Sequence, residues 1–296
     1  MHKARLKWGL FISLSIIWGS SFILIKKSLL AFTPTQLGLL RIFIAGSFLL
    51  PLGFKQLKTH CKRDYLWLAI AGILEFFPSF LFAFAQTEVP SGVTGVLNTL
   101  VPLFTLLTGL ALFGKKLKLI QLFGVLIGLL GSWYLIRPAD LLSQPIPLFQ
   151  VGLIILATLF YGLSANVAKN RLGHLKPLDI TTGSLILAMI PALIVSTTAD
   201  FQSLRFNATT YQSWAAITLL SIVGTSLAYL GFYKLLQLGS ALFATSMVYL
   251  MPLVSILWAV LDGETFSLYQ LVAASVTLLG IYLINEKKQK SLVKSR

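Results

Sequence analysis

Ten apolar stretches constrain this chain more than any other feature. A helix needs about 20 residues to cross the hydrocarbon layer of a bilayer. By that ruler the spans fall at 6–25, 35–54, 65–85, 91–113, 118–136, 148–168, 178–197, 211–235, 241–261 and 267–285. Only 11% of the 296 residues are charged and the mean hydropathy is +0.85, whereas soluble domains carry roughly 25% charged residues. The expected fold class is therefore an all-α integral membrane protein of ten transmembrane helices. Pro, Gly or charge punctuates nearly every joint: Thr33-Pro34, Lys62-Arg63-Asp64, Gly114-Lys115-Lys116, Arg137-Pro138, Pro145, Pro147, Lys176-Pro177, Gly239 and Asp262-Gly263. Hairpins this short leave no room for a soluble domain.

The formal charge of +15 would suit a nucleic-acid partner only if it clustered on a soluble face. Instead it sits in short runs between spans, and 19 of the 24 Lys and Arg fall on the side shared with the N-terminus. Lys26, Lys27, Arg137 and Arg205 lie opposite, and Arg41 lies within a span. Positive loops face the cytoplasm, so both termini are expected there. The basic start resembles a signal peptide, but its apolar run continues to Ile25 with no small-residue cleavage site. Cys61 is the single cysteine, which excludes an internal disulfide and a cysteine metal cluster. The glycosylation-like triplet Asn207-Ala208-Thr209 carries no weight by itself.

The spans are written twice. Leu81–Phe104 is echoed without a gap at Gly231–Val254, where Phe82 falls on Phe232, Leu100 on Leu250, Pro102 on Pro252 and Leu103 on Leu253. Trp18-Gly19-Ser20-Ser21 matches Tyr161-Gly162-Leu163-Ser164, and Leu130-Gly131 matches Leu279-Gly280. Three segments in the same order argue for a duplicated half of five spans. Five is odd, so the second half enters the membrane upside down. Inverted repeats are a device of secondary transporters, whose central site is exposed alternately to each side. The domains expected are 6–137, 148–285 and a basic cytoplasmic tail at 286–296.

A first span ending in Trp18-Gly19-Ser20-Ser21-Phe22, Arg41 in the second, Thr99-Leu100-Val101-Pro102-Leu103-Phe104 in the fourth and a Gly-x-x-x-Gly close to the fifth resemble the EamA-type members of the drug/metabolite transporter superfamily. The resemblance covers essentially the whole chain. It implies a ten-helix alternating-access carrier in a bacterial inner membrane, exporting amino acids, other metabolites or toxic compounds. It also implies a cavity lined by helices one, three, four, six, eight and nine. The second half departs from the pattern at Tyr161-Gly162-Leu163.

Glu75 is the one acid deep in any span. A charged group there costs about 2.5–3.5 kcal/mol on insertion scales, which marks a cavity, a partner or a proton site. It is the proton-coupling candidate; the alternative is a glutamate held by helix-to-helix hydrogen bonds or by Arg41. Arg41 is read first as structural, snorkelling to the outer interface, and second as an anion site. Trp18, Ser20, Ser21, Phe80, Asn98, Thr99, Tyr161, Ser164, Asn166, Tyr229 and Tyr249 are candidates to line a substrate cavity. Ordinary packing, with Ser or Thr bonded to its own helix, is the competing reading for each. Pro102 and Pro252 are structural: a mid-span proline bends a helix and frees a carbonyl, and paired breaks point to transporter sites. Gly124 and Gly128, with Gly131, permit close helix contact, and Ala273, Thr277 and Gly280 are the small residues at the corresponding place in the second half.

No P-loop is present. His2, His60 and His174 lie in the terminus or loops, so no intramembrane histidine relay or zinc site is expected, and no cofactor is implied. The partners expected are a small-molecule substrate, the lipid bilayer and protons as coupling ion, with no nucleic acid and an oligomeric state left open. The leading expectation is an exporter of small metabolites such as amino acids or amphiphilic toxic compounds, and not an enzyme. An importer or exchanger of the same fold would need more basic residues in the cavity. A lipid enzyme would need a catalytic cluster near one interface, and a scaffold would not need Glu75.

Overall fold

The protein was analysed as a computed structural model, which describes residues 2–57, 60–89, 91–116, 118–135, 147–201, 207–254 and 268–285. These are helical throughout, with no strand among them. The elements are α1 (His2–Gly19), α2 (Ser21–Ser28), α3 (Pro34–Leu57), α4 (Lys62–Ala85), α5 (Ser91–Asn98), α6 (Val101–Phe113), α7 (Leu119–Leu135), α8 (Leu148–Arg171) and α9 (Pro177–Ser196). After these come α10 (Ala208–Ser221), a π-helical segment Ile222–Leu227, α11 (Ala228–Leu238), α12 (Ala241–Thr245), a 3-10 segment Ser246–Leu250 and α13 (Leu268–Asn285). Seven helical runs are long and apolar enough to cross a membrane, and the shorter apolar helices Leu119–Tyr134, Ala241–Val254 and Ser275–Ile284 accompany them. The chain is a multi-pass membrane protein. The later part of the expected span 241–261, the tail 286–296, Arg137 and Arg205 lie outside the described residues.

Local chemistry sets the helix ends. At the start of α3, Thr33-Pro34-Thr35-Gln36 closes a capping box: the Thr33 N–H donates to Gln36 Oε1 at 2.8 Å and the Gln36 N–H to Thr33 Oγ1 at 3.3 Å. Pro34 and Pro177 open α3 and α9, where the missing N–H has no intrahelical partner to lose. Gly114 ends α6 at φ 58°, a left-handed cap that suits glycine. Asn207 accepts from the Thr210 N–H at 2.9 Å and caps α10; the glycosylation-like triplet is a helix start.

The tightest seam joins α7 to α13. A Cβ built on Gly280 would lie 2.5 Å from Gly128 N and 2.8 Å from Gly124 O, and one on Gly131 would lie 2.6 Å from Thr277 N. The small residues expected to allow close contact meet each other across this seam.

The remaining packing runs in corresponding pairs. α4 packs on α8, and α10–α11 packs on α1–α2; α6 packs on α8, and the 3-10 segment packs on α1; α3 packs on α9. Outside, side chains such as Leu148, Phe149 and Ile194 are largely exposed and form an apolar girdle. Trp8 and Phe243 meet edge to face at 5.5 Å, and Lys7 Nζ sits 3.7 Å above the Phe243 ring. Phe243 belongs to α12 and its ring also lies against Gly239 at the end of α11, so the N-terminus and the α11–α12 turn share one face of the bundle.

Candidate functional site

Four departures from regular α-helix converge on one chamber. α1 breaks from α2 at Ser20, and α5 from α6 at Thr99-Leu100, with Pro102 in the first turn beyond. The π segment interrupts the run from α10 to α11, and the 3-10 segment precedes Pro252. Thr99-Leu100 and Tyr249-Leu250 occupy the same place in the two echoed stretches. Irregular backbone at membrane depth is tolerated where it is buried in protein or lines a cavity.

The chamber has a cavity volume of about 70 Å³. Trp18, Ser21, Phe22 and Ile25 come from α1–α2, Arg41 from α3, Phe82 from α4, Asn98 from α5 and Val101 from α6. Tyr161 and Ser164 come from α8, Tyr229 and Phe232 from α11, and Thr245, Met247, Val248 and Met251 from the run beginning at α12. Aromatic and aliphatic groups dominate this wall, the composition typical of a small-molecule pocket with a few polar anchors.

Several polar groups are held in position. Trp18 Nε1 donates to Gly224 O at 2.8 Å across the π segment. Gly224 allows the approach, since a Cβ there would lie 3.1 Å from Ser21 Oγ. Arg41 is 5% exposed, and its Nε donates to Thr225 Oγ1 at 2.9 Å. It turns into the bundle, where the Thr225 hydroxyl accepts from it, and this replaces the snorkelling reading. Asn98 Nδ2 reaches Met251 Sδ at 3.3 Å, a weak acceptor, while the buried Asn98 Oδ1 has no hydrogen-bond partner among the described residues. A buried carbonyl left unmade forfeits about 1–3 kcal/mol, so this oxygen is poised for a donor.

Glu75 lies behind the wall rather than in it. Tyr233 donates to Oε1, and Ser184 Oγ donates to Oε2 at 3.1 Å. Tyr233 in turn stacks on the chamber residue Tyr229 with centroids 6.0 Å apart. Arg41 is close enough for its charge to act on Glu75 and on Tyr161. The carboxyl is thus one aromatic layer from the chamber.

Trp18, Ser21, Asn98, Tyr161, Ser164 and Tyr229 meet at the chamber, and the other five expected cavity residues do not line it. Ser20 and Thr99 sit at helix breaks, with the Thr99 hydroxyl donating to Val96 O at 2.6 Å, and Phe80, Asn166 and Tyr249 are turned elsewhere. Phe80 packs with Leu39, Ile42, Phe76 and Ala192 in a separate core between α3, α4 and α9, on another face of α4 from Phe82. Asn166 Nδ2 is engaged by Thr105 O at 2.7 Å and Thr108 Oγ1 at 2.9 Å, fastening α8 to α6. Tyr249 donates to Val125 O at 3.1 Å and fills the space over Gly128. Glycine at 128 draws that ring away from the chamber.

Thr225, Ser184, Thr245, Met247 and Met251 are missed by sequence reasoning. The repeat register held a signal for two of them. At the displacement of 150 residues Glu75 falls on Thr225, and at the 143 that pairs Pro34 with Pro177, Arg41 falls on Ser184. The bonds Arg41–Thr225 and Ser184–Glu75 are counterparts under that register.

With this geometry in place, comparison with known proteins is decisive for the family. Residues 7–137 and 148–286 each match the EamA-like transporter family. The chain belongs to the EamA-like transporter family. An uncharacterized transporter of Archaeoglobus fulgidus is 25% identical over 286 residues, covering 95% of this chain and 99% of the relative. The uncharacterized inner membrane transporter YedA of Escherichia coli K12 is 27% identical over 94% of this chain and 90% of its own length. A probable amino-acid metabolite efflux pump of Salmonella typhimurium is 24% identical over 90% of this chain and 91% of that protein. A solved crystal structure superposes with a TM-score of 0.73 at 18% identity, over 95% of this chain and 97% of that one, and so shares the fold. This EamA-like chain is a membrane transporter, and its substrate is a small molecule.

Proposed function

We propose that this transporter is a secondary-active, alternating-access exporter of small metabolites, with amino acids and related amphiphilic compounds as cargo and protons as the coupling ion. The observation that carries the reading is the chamber: an aromatic wall with one guanidinium and one unpartnered amide oxygen, assembled where the helix breaks of both halves meet. The apolar wall suits the body of an amphiphile, Arg41 an anionic group and Asn98 Oδ1 an N–H or O–H donor. Ten helices form two inverted five-helix repeats at 6–137 and 148–285, with both termini and the tail 286–296 on the cytoplasmic side of an inner membrane. Corresponding packing of the two halves supports that layout, and alternating exposure follows from it. Glu75 is the coupling carboxyl. The Salmonella relative's name, which specifies amino-acid metabolite efflux, supports the cargo class.

Import or exchange of a strongly anionic metabolite is the second reading. Arg41 is the single cation among the described lining residues, which favours the first.

The test is expression in a host lacking its own amino-acid exporters, challenged with a panel of amino acids, analogues and lipophilic toxins, with wild type beside Glu75→Gln. Resistance with excretion that the substitution abolishes at equal protein level is the expected result. Excretion that survives the substitution removes Glu75 from coupling. The absence of any wild-type phenotype across the panel would count against export.

A further inference from the structure

A second concavity opens at the face of the bundle that holds the N-terminus. It is polar and wide, and Lys169, His174, Lys176, Tyr233, Lys234 and Gln237 are among the residues that line it. Tyr233 itself is 1% exposed. Its hydroxyl is bonded to the Glu75 carboxyl, and its ring stacks on Tyr229, which belongs to the substrate chamber. Glu75 therefore stands between two compartments, and the shortest way from it to the cleft is one tyrosine side chain.

We infer that Tyr233 is the proton-transfer residue joining Glu75 to this cleft, so that the coupling carboxyl exchanges its proton with the N-terminal face of the protein and not through the substrate chamber. This rests on the reading of Glu75 as the coupling group. In the transfer, the carboxyl O–H bond breaks as an O–H bond forms to the Tyr233 oxygen. The phenolic proton leaves at the same time to a water in the cleft, giving hydronium there. The tyrosine is neutral before and after, and the glutamate becomes a carboxylate. The reverse sequence reloads it. The titratable and charged groups facing Glu75 are Arg41 from α3, Tyr161 from α8, and Tyr229 and Tyr233 from α11; α9 presents the hydroxyl of Ser184. Of these, Tyr233 alone also borders the cleft. Separate routes for proton and cargo let one carboxyl report the state of one face while the chamber is closed to it.

The experiment needs no knowledge of the cargo. Full-length protein in lipid vesicles is followed by infrared spectroscopy, with the Glu75 carboxyl band assigned by its loss in Glu75→Gln. The exchange of that carboxyl proton is timed after transfer to heavy water. Tyr233→Phe keeps the ring and its stacking and removes the relay oxygen. The expected result is exchange slowed at least about tenfold, a conservative share of what a positioned proton-transfer group contributes. Tyr229→Phe, on the chamber side, should leave the rate unchanged and serves as the fold-matched control. Exchange as fast in Tyr233→Phe as in wild type overturns the proposal, as does slowing by Tyr229→Phe alone, or no Glu75-dependent carboxyl band from mildly acidic to mildly alkaline pH. Failure of the coupling reading is separate: Glu75→Gln would then retain pH-driven transport whatever the exchange rates.

Discussion

One methyl group at the α7–α13 seam tests how closely those helices pack. Gly280→Ala places a Cβ 2.5 Å from Gly128 N, 2.6 Å from Gly128 Cα and 2.8 Å from Gly124 O. Carbon atoms rest about 3.5–4.0 Å from non-bonded neighbours, so the helices must separate by roughly 1 Å. All three obstacles are backbone, and no rotamer change relieves them. Overpacking of this kind costs about 1–3 kcal/mol. Gly152→Ala is the matched control, because its Cβ meets nothing within 4 Å; it should gain up to about 1 kcal/mol from helix propensity. Both variants share the propensity gain, so they should differ by the overpacking cost of about 1–3 kcal/mol, or roughly 2–12 °C in melting temperature at 2–4 °C per kcal/mol. The assay is thermal unfolding of the purified proteins in one detergent, followed by loss of the monodisperse chromatographic peak. Equal melting temperatures for Gly280→Ala and Gly152→Ala would refute the reasoning, since the seam would then have room for a methyl group.

Three further predictions address the chamber and the orientation. Asn98→Leu removes an acceptor with no partner among the described residues, so melting should hold within about 0.5 kcal/mol of wild type while substrate affinity falls about 5- to 150-fold, the range corresponding to about 1–3 kcal/mol; parallel loss of both would make Asn98 a packing residue. Thr225→Val leaves the buried Arg41 guanidinium without its hydroxyl acceptor and should destabilise the fold by about 1.5–3 kcal/mol, whereas Ser184→Ala should do less because Glu75 keeps Tyr233. Comparing the two melting curves checks that order. Cys61 is the sole cysteine and is exposed beside the start of α4, so a membrane-impermeant maleimide should label inside-out vesicles and spare right-side-out ones. The reverse pattern would invert the proposed topology.

How much was legible in the sequence depends on what each residue type can signal. Span positions follow from length and hydropathy alone, and the helix-end chemistry at Thr33–Gln36 and Gly114 is local. Trp18, Ser21, Asn98, Tyr161, Ser164 and Tyr229 stood out because each is polar or amphipathic inside an apolar run. Met247, Met251 and Phe22 carried no such mark: an apolar side chain reads the same facing lipid, a neighbouring helix or a chamber. Phe80 and Phe82 are two positions apart on α4, so they point about 200° apart around the helix; composition could not say which faces inward. The depth of Glu75 was readable, but its partners Tyr233 and Ser184 were not, because they lie 158 and 109 residues away. Asn166 and Tyr249 misled for the converse reason, since their polar atoms are consumed by neighbouring backbone.

The two halves correspond in contact but not in charge. α3 reaches the π segment through Arg41 and Thr225, and α9 reaches α4 through Ser184 and Glu75. In both pairs the first half supplies the ionisable group and the second half a hydroxyl. An exchange of conformation between the halves would bring those charges into surroundings shaped for hydroxyls. Hydrogen bonds to charged groups contribute about 1.5–3 kcal/mol each, so the two end states of such an exchange are unequal by a few kcal/mol. An imbalance of about 3 kcal/mol leaves the minor state below one part in a hundred. On the proposed alternating-access cycle, something that alters the charges must therefore accompany each turn. Two events are available at this site: an anionic group placed against Arg41, or a proton placed on Glu75. Because both charges belong to one half, either event would shift the balance between the two states in a definite direction, which is what the proposed coupling of cargo to a proton gradient requires.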